Sequence, residues 1–265
     1  MPVRTPDLSV KLRCFTARLA LAICLCGLPG CGTAQYETLL AKQIKTVREQ
    51  APWARFWDYT SVEGVPLRLR APELFKNSYL INSPHAADGD RIDPGRVQPP
   101  FLKLPGFRMM FEDFYAEGTN LTPFYCYVAA DRATPQQVQA LAAQLLATLK
   151  TAFPASQPPP AWETVDCKTP EGGSLQWKRL VVLGDMPFDV DPGAGREIET
   201  RQMNATFELW LHESQGHYVL LGWRINTQWD KKVELLRLAP LTAGTVQIGA
   251  GQIDAGAPGD APAGS

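Results

Sequence analysis

The sequence predicts an α+β domain in which a single antiparallel sheet is covered by amphipathic helices. Two strand-like stretches, 203–212 and 218–226, are separated only by the glycine-containing turn 213–216, so they must form an antiparallel hairpin. Residues 134–153 carry apolar side chains at helical spacing behind a Thr-x-x-Gln capping box. Strands grouped before and after such a helix are typical of the α+β class.

The leader, residues 1–30, has the pattern of a secretory signal peptide. Basic residues precede an apolar run, 19–28, that is too short to cross a bilayer as a helix and ends in small residues. The ending Leu28-Pro29-Gly30-Cys31 resembles the lipobox of bacterial lipoproteins. That resemblance implies that Cys31 is acylated, with palmitate for example, and becomes the first residue of a mature chain. The protein would then be anchored to a membrane of the cell envelope, facing the periplasm or the exterior. A plain secreted protein and an uncleaved anchor are the alternatives.

The charge of the chain argues against nucleic acid as a partner. The 265 residues carry a formal net charge of -1, and the leader holds four of the 26 basic and one of the 27 acidic residues. The mature chain is therefore at -4, whereas nucleic-acid binding needs a basic face. Its length suits one domain, or at most two.

Two cysteines remain after those of the leader and Cys31 are set aside. Cys126 and Cys167 form either a disulfide, which an oxidising compartment would favour, or two buried free thiols. The sequence contains no Cys-x-x-Cys pair, so a structural zinc site is not expected.

Periodicity, turns and prolines divide the rest of the chain. We expect a tether with an N-terminal helix over 31–54, a sandwich domain over 55–248 and a disordered tail over 249–265. A proline-rich insertion at 77–105 is either a surface loop or a partner-binding segment. The predicted helices are 35–50, 134–153 and 228–238, the last stopped by Pro240, and the further strands are 65–70, 107–115, 122–129, 162–167 and 175–184, with 57–59 as a hairpin partner of the first.

This order of elements resembles the fold of the PsbP-like photosystem extrinsic proteins and the Ran-binding nuclear-import factor. The resemblance covers 55–245 and includes the stretch 216–221 before the last helix. It implies an α/β/α sandwich with a binding or accessory role beside a larger complex and without an active site. It carries over no functional residue.

Histidines and acidic loops suggest one alternative chemistry. His212 and His217 flank the hairpin turn and could share a metal ion with Glu213. Acidic residues at 185–191 and at 88–90 offer oxygen ligands, although they do not match the EF-hand spacing. A metal-dependent envelope hydrolase is therefore the alternative function. Solvated loop residues are the simpler interpretation, and we expect no metal and no cofactor.

Trp210 is the candidate for a partner-binding patch. It is out of phase with Phe207, Leu209 and Leu211, so it faces either a helix-covered surface or an exposed patch. The sequence contains no nucleophile elbow and no phosphate-binding loop. The resulting expectation is a lipid-anchored envelope protein that binds or assists an unidentified envelope protein and is not an enzyme.

Overall fold

The structure is a computed structural model that describes residues 33–80, 98–193 and 195–249. The chain divides into two units, Met1–Ala51 and Pro52–Ser265. The predicted leader, Cys31, the acidic pair Asp88 and Asp90 and the predicted tail beyond Gly249 lie outside the described residues. In the first unit the predicted helix is present as α1, Thr33–Gln50, and the side chains of Leu39, Leu40, Ile44 and Val47 are exposed. The short 3-10 helix Ala51–Trp53 follows.

The second unit contains ten strands and three helices in its described part. In chain order they are β1 Thr60–Val62, β2 Leu67–Leu69, β3 Asn77–Leu80, β4 Phe107–Glu117, β5 Asn120–Arg132, α2 Pro135–Ala152, β6 Glu163–Lys168, β7 Ser174–Val190, β8 Glu199–Ser214, β9 His217–Asn226, α3 Thr227–Val233, α4 Leu235–Gly244 and β10 Gln247–Ile248. This mixture of antiparallel strands and helices confirms the α+β class.

Seven strands form the main sheet, in the order β3-β4-β5-β9-β8-β7-β6, and every neighbouring pair is antiparallel. The predicted hairpin is present, with Ser214 opposite His217. A second sheet of three short strands, β1-β2-β10, stands beside the main one and was not predicted. The expected partner of the early strand, 57–59, is also corrected, because Thr60–Val62 pairs with Leu67–Leu69.

Helices cover both faces of the main sheet. The apolar stripe of α2, including Leu145 and Leu149, packs in one core cluster with Tyr127 and Phe207. The capping box is confirmed, because Thr134 N–H donates to Gln137 Oε1 at 2.8 Å and Gln137 N–H donates to Thr134 Oγ1 at 3.4 Å. On the other face, α4 and the small sheet pack in a second cluster whose largest side chains are Trp177, Trp210 and Trp223. Burying each such large apolar side chain stabilises the fold by about 1.5–3 kcal/mol.

Parts of the predicted insertion are structured. Asn77–Leu80 is the edge strand β3, paired with β4, and the loop side chains Leu102 and Leu104 are buried. Residues 81–97 lie outside the described residues. The predicted C-terminal helix is also different, because Glu234 adopts a left-handed conformation, with φ of 56°, and divides it into α3 and α4. Pro240 therefore lies inside α4 rather than stopping a helix.

The main sheet folds back on itself at one end. Beyond the C-terminal end of β9, Leu121 of β5 and Asp191 at the end of β7 exchange two backbone hydrogen bonds, of 2.7 and 2.9 Å. These two strands are separated by β9 and β8 elsewhere in the sheet. The closure brings the first residues of β5 and the last residues of β7 to the two sides of one cavity.

Candidate functional site

Arg224 is the unusual residue of this cavity. It lies in β9 between Trp223 and Ile225, opposite Tyr125 of β5 and Phe207 of β8. Its side chain therefore points to the face of the sheet that α2 covers further along. Arg224 is only 5% exposed, although charged side chains are almost never fully buried unless they are paired.

Aromatic rings surround the guanidinium group of Arg224. Its Cζ atom is 4.4 Å from the ring centroid of Tyr125, 5.0 Å from that of Phe188 and 5.9 Å from that of Tyr127. Contacts of this kind stabilise a cation through the electron density of the ring face. The buried Nε and Nη1 atoms of the group have no hydrogen-bond partner in the described structure. Two strong donors are thus held inside the protein without an acceptor.

Arg224 lines a cavity of about 430 Å³. That volume falls within the range of small-molecule sites, about 300–1,000 Å³. The lining side chains come from the loop before β4, from β4, β5, β7, β9 and from the start of β8: Gln98, Pro100, Met110, Glu112, Phe114, Pro123, Tyr125, Pro187, Asp189, Ile198, Thr200 and Arg224.

Two carboxylates share the cavity with Arg224. Burial raises the pKa of Glu112 above its ordinary value, and the Tyr79 hydroxyl and Arg224 oppose that shift. Asp189 accepts a hydrogen bond of 2.7 Å from Thr200 Oγ1. Burial also raises the pKa of the Tyr125 hydroxyl far above its ordinary value, with Arg224 opposing. The cavity therefore presents a cation and acceptor oxygens side by side.

Exposed apolar side chains border the same cavity. Phe114 is 37% exposed and Ile198 is 67% exposed. Within the described part of the second unit, the large apolar side chains exposed to this degree are these two and Trp57. Exposed apolar groups beside a cavity that holds a few polar groups are typical of a ligand-binding site.

The structure corrects the prediction that Trp210 forms an exposed patch. Trp210 is 2% exposed and belongs to the core cluster beneath α4. Its indole Nε1 donates a hydrogen bond of 3.0 Å to Glu208. The other alternative, a helix-covered face, is therefore the correct one.

The two hairpin histidines are not assembled into a metal site. His212 Nδ1 lies 2.8 Å from the Gln176 carbonyl oxygen, and its ring packs at a tilt of 30° against Trp177. His217 Nδ1 lies 2.9 Å from the Gln215 carbonyl oxygen. Among residues 33–80, 98–193 and 195–249, no three His, Cys, Asp or Glu side chains are grouped to hold a metal ion. The predicted acidic loop at 185–191 is corrected, because β7 continues to Val190; Asp189 of this strand lines the Arg224 cavity, and Asp191 follows it and pairs with Leu121.

Of the two alternatives for the cysteines, the structure has the buried free thiols and not the disulfide. Cys126 and Cys167 are free and buried in the described structure. They lie on β5 and β6, which three other strands separate, so about 19 Å of sheet lies between them. A disulfide requires Cα atoms within about 7 Å. Burial raises the pKa of both thiols, that of Cys167 to about 12, so neither is a reactive nucleophile.

Arg224 was missed at the sequence level for a physical reason. All residues of β9 from Tyr218 to Asn226 are buried, because both faces of this central strand are covered, so the strand shows no alternation of apolar and polar residues. The available signal was an arginine between Trp223 and Ile225 in an otherwise apolar strand. A charged residue in such a strand indicates a functional group or a buried ion pair.

Comparisons with known proteins concern the fold. No family model matches the sequence, and no curated protein matches it either. The chain is similar to a solved structure described as the solution structure of cyanobacterial PsbP (CyanoP) from Synechocystis sp. PCC 6803. The TM-score is 0.32 and the sequence identity 12%, over 74% of this chain and 93% of that one. No residue, activity or family membership is transferred from it.

Proposed function

We propose that this protein is a lipid-anchored binding protein of the cell envelope, that it has no catalytic activity of its own, and that the Arg224 cavity is its ligand site. The observation that carries the proposal is Arg224, a residue that lines the cavity and whose buried Nε and Nη1 atoms lack acceptors in the described residues. An anionic group of a ligand would supply the missing acceptors. Hydrogen bonds to a charged group are among the strongest in proteins, and a guanidinium can bind a carboxylate through two of them.

The energetics favour a binding role for Arg224 over a structural one. Taking a charge out of water costs several kcal/mol, and an apolar residue at the same place would avoid that cost. Contacts with the neighbouring rings offset about 0.5–2 kcal/mol of this desolvation cost. Retaining an arginine at such a place is expected where a ligand completes the interaction, since functional sites often sacrifice stability.

The side chains in the cavity suit binding better than chemistry. The hydroxyls among its described lining residues belong to Tyr125 and Thr200, and the latter is engaged with Asp189. The Tyr125 hydroxyl has a raised pKa, which opposes its use as a nucleophile. These features support a binding protein that assists another component of the envelope.

The leader supports a location at the membrane. The signal-peptide pattern and the lipobox-like Leu28-Pro29-Gly30-Cys31 suggest attachment through acylated Cys31. None of the described helices is long and apolar enough to cross a membrane.

Hexanoate, a small apolar carboxylate, tests the ligand site. Isothermal titration of the full chain in detergent should detect hexanoate binding, and the neutral isostere hexanamide should bind at least tenfold more weakly. Arg224→Gln should lose at least tenfold in hexanoate affinity. Arg237→Gln is the matched control, because Arg237 is an exposed arginine of α4 paired with Glu234, and it should bind as the wild type does. Equal affinity of wild type and Arg224→Gln would contradict the proposal.

Growth in labelled palmitate tests the anchor. The mature band should carry the label, and Cys31→Ser should abolish it. An unlabelled wild-type band, or an amino terminus that still begins at Met1, would contradict membrane attachment through Cys31.

A further inference from the structure

The Arg224 cavity offers three kinds of interaction at once. Arg224 provides a cation with free donors, Glu112 and Asp189 provide acceptor oxygens, and Phe114 and Ile198 provide exposed apolar surface. A ligand that matched only the arginine would leave the carboxylates facing a second negative charge. Like charges in close proximity weaken binding, so a simple anion is a poor match for the complete site.

A nitrogen with N–H groups would resolve this conflict. Asp189 uses one oxygen to accept from Thr200, which leaves its other oxygen for a ligand. Glu112 is half-buried, and burial raises its pKa although the Tyr79 hydroxyl and Arg224 oppose the shift, so a further donor or positive charge beside it would relieve its desolvation. A ligand that carries a donor near its carboxylate would thus satisfy both signs of charge in the cavity.

The apolar rim adds a size and polarity requirement. Phe114 and Ile198 line the cavity together with three rigid, apolar prolines, Pro100, Pro123 and Pro187. An apolar group seated among them would remove exposed hydrophobic surface from water, at about 25 cal/mol per Å². The cavity volume of about 430 Å³ accommodates one residue-sized ligand.

We infer that the ligand is an α-amino or α-acylamino carboxylate with an apolar side chain, that is, an apolar amino acid or the C-terminal residue of a peptide. This inference rests on the proposed function of the cavity as an anion-binding site. The carboxylate binds Arg224, the α-nitrogen donates to Glu112 or Asp189, and the side chain packs against Phe114 and Ile198.

Four probes separate the contributions of the ligand groups. L-Leucine and N-acetyl-L-leucine carry all three groups, hexanoate lacks the nitrogen, and L-leucinamide lacks the carboxylate. With the full chain in detergent, the better of the first two should bind at least tenfold more tightly than hexanoate and leucinamide. Stronger binding of leucine indicates a free amino acid as the ligand, and stronger binding of N-acetyl-leucine indicates a peptide terminus.

Glu112→Gln tests the role of the acceptor oxygens. This variant should lower the affinity for the better leucine probe by about tenfold and leave the affinity for hexanoate unchanged or higher. Glu117→Gln is the matched control, because Glu117 lies on the same strand and is exposed outside the cavity. It should leave both affinities unchanged.

A failure of the amino-carboxylate inference can be distinguished from a failure of the proposed anion site. Hexanoate binding as tightly as both leucine compounds would overturn the amino-carboxylate inference and leave the anion site standing. Absence of binding for all four probes would overturn both. The comparison of probes on the wild-type chain decides the inference even where Glu112→Gln fails to fold.

Discussion

Arg179 and Glu208 form a complete ion pair on the face of the sheet opposite to Arg224. Arg179 donates from Nε and Nη2 to the two carboxylate oxygens of Glu208, with 3.1 Å between Nε and Oε2, and its Nη1 donates to Glu163 at 2.9 Å. Glu208 is 2% exposed and also accepts from Trp210. The contrast with Arg224 is informative, because one arginine has carboxylates for its donors and the other has a cavity.

Removing Arg179 should destabilise the fold. Arg179→Met would leave the buried Glu208 carboxylate with Trp210 as its remaining donor, at a cost of about 2–4 kcal/mol after allowing for the partial exposure of Arg179. Urea denaturation gives the free energy of unfolding. The double variant Arg179→Met/Glu208→Leu should be more stable than the single one, because no uncompensated charge remains. The control Arg201→Met breaks an exposed pair with Glu199 and should change stability by less than about 0.5 kcal/mol.

Removing Arg224 should have the opposite effect on stability. Arg224→Met keeps the contacts with the surrounding rings and avoids the cost of burying a charge, so the free energy of unfolding should rise by about 1 kcal/mol. Arg224 lowers the pKa of Glu112, so the pKa of that carboxyl should rise further in the variant, as measured by carboxyl-carbon NMR titration. A loss of stability greater than about 1 kcal/mol would assign Arg224 a structural role and weaken the proposed binding site.

The difference between these two arginines marks the limit of what the sequence could predict about the site. Both occur in strands rich in apolar residues, and neither has a partner nearby in the sequence. The acceptor of Arg179 is set by the β7–β8 register, and the cavity beside Arg224 is set by the approach of Leu121 to Asp191. Both determinants are long-range contacts, which local periodicity does not encode.

Gly244 allows α4 to lie directly on the end of β6. A Cβ atom at Gly244 would lie 1.9 Å from the Lys168 carbonyl oxygen. Gly244→Ala gains about 1 kcal/mol of helix propensity but forces the two backbones apart, which costs about 2–3 kcal/mol, so stability should fall. The control Gly173→Ala meets only the Thr169 hydroxyl, at 3.3 Å, and should cost less. Thermal denaturation compares the two variants, and equal midpoints would contradict the close approach.

His212 should make the protein less stable in mild acid. Burial lowers the pKa of His212 below its ordinary value of 6.5, although the Gln176 carbonyl and Glu213 oppose the shift. As the pH falls below 6.5, the unfolded chain binds a proton at this residue and the folded protein does not. The free energy of unfolding therefore decreases from pH 6.5 down to the pKa of the folded state.

His212→Gln should remove this part of the pH dependence. The free energy of unfolding of the wild type minus that of the variant, measured by urea denaturation, should be more positive at pH 7.5 than at pH 5. An imidazole NMR titration midpoint at or above 6.5 for His212 in the folded protein would refute the assignment.

Local signals accounted for most of the fold, and the exceptions were set by distant contacts. The Thr134–Gln137 capping box and the turn before His217 could be read directly, because their hydrogen bonds join residues a few positions apart. The strands β3 and β10 are four and two residues long and exist through partners far along the chain. Glu234 adopts a left-handed conformation between α3 and α4. Glycine is the usual residue in that conformation, so the residue type did not indicate this break in the helix.

The hydrogen bonds between Leu121 and Asp191 have a consequence for affinity. Pro123 and Asp189 line the cavity two residues from this junction, so the junction fixes the separation of two opposing walls before any ligand arrives. A receptor whose shape is preorganised loses little conformational entropy on association, and the interaction energy then appears almost undiminished as affinity. Weakening that junction would lower the occupancy of the cavity at a given ligand concentration while leaving every ligand-contacting side chain in place.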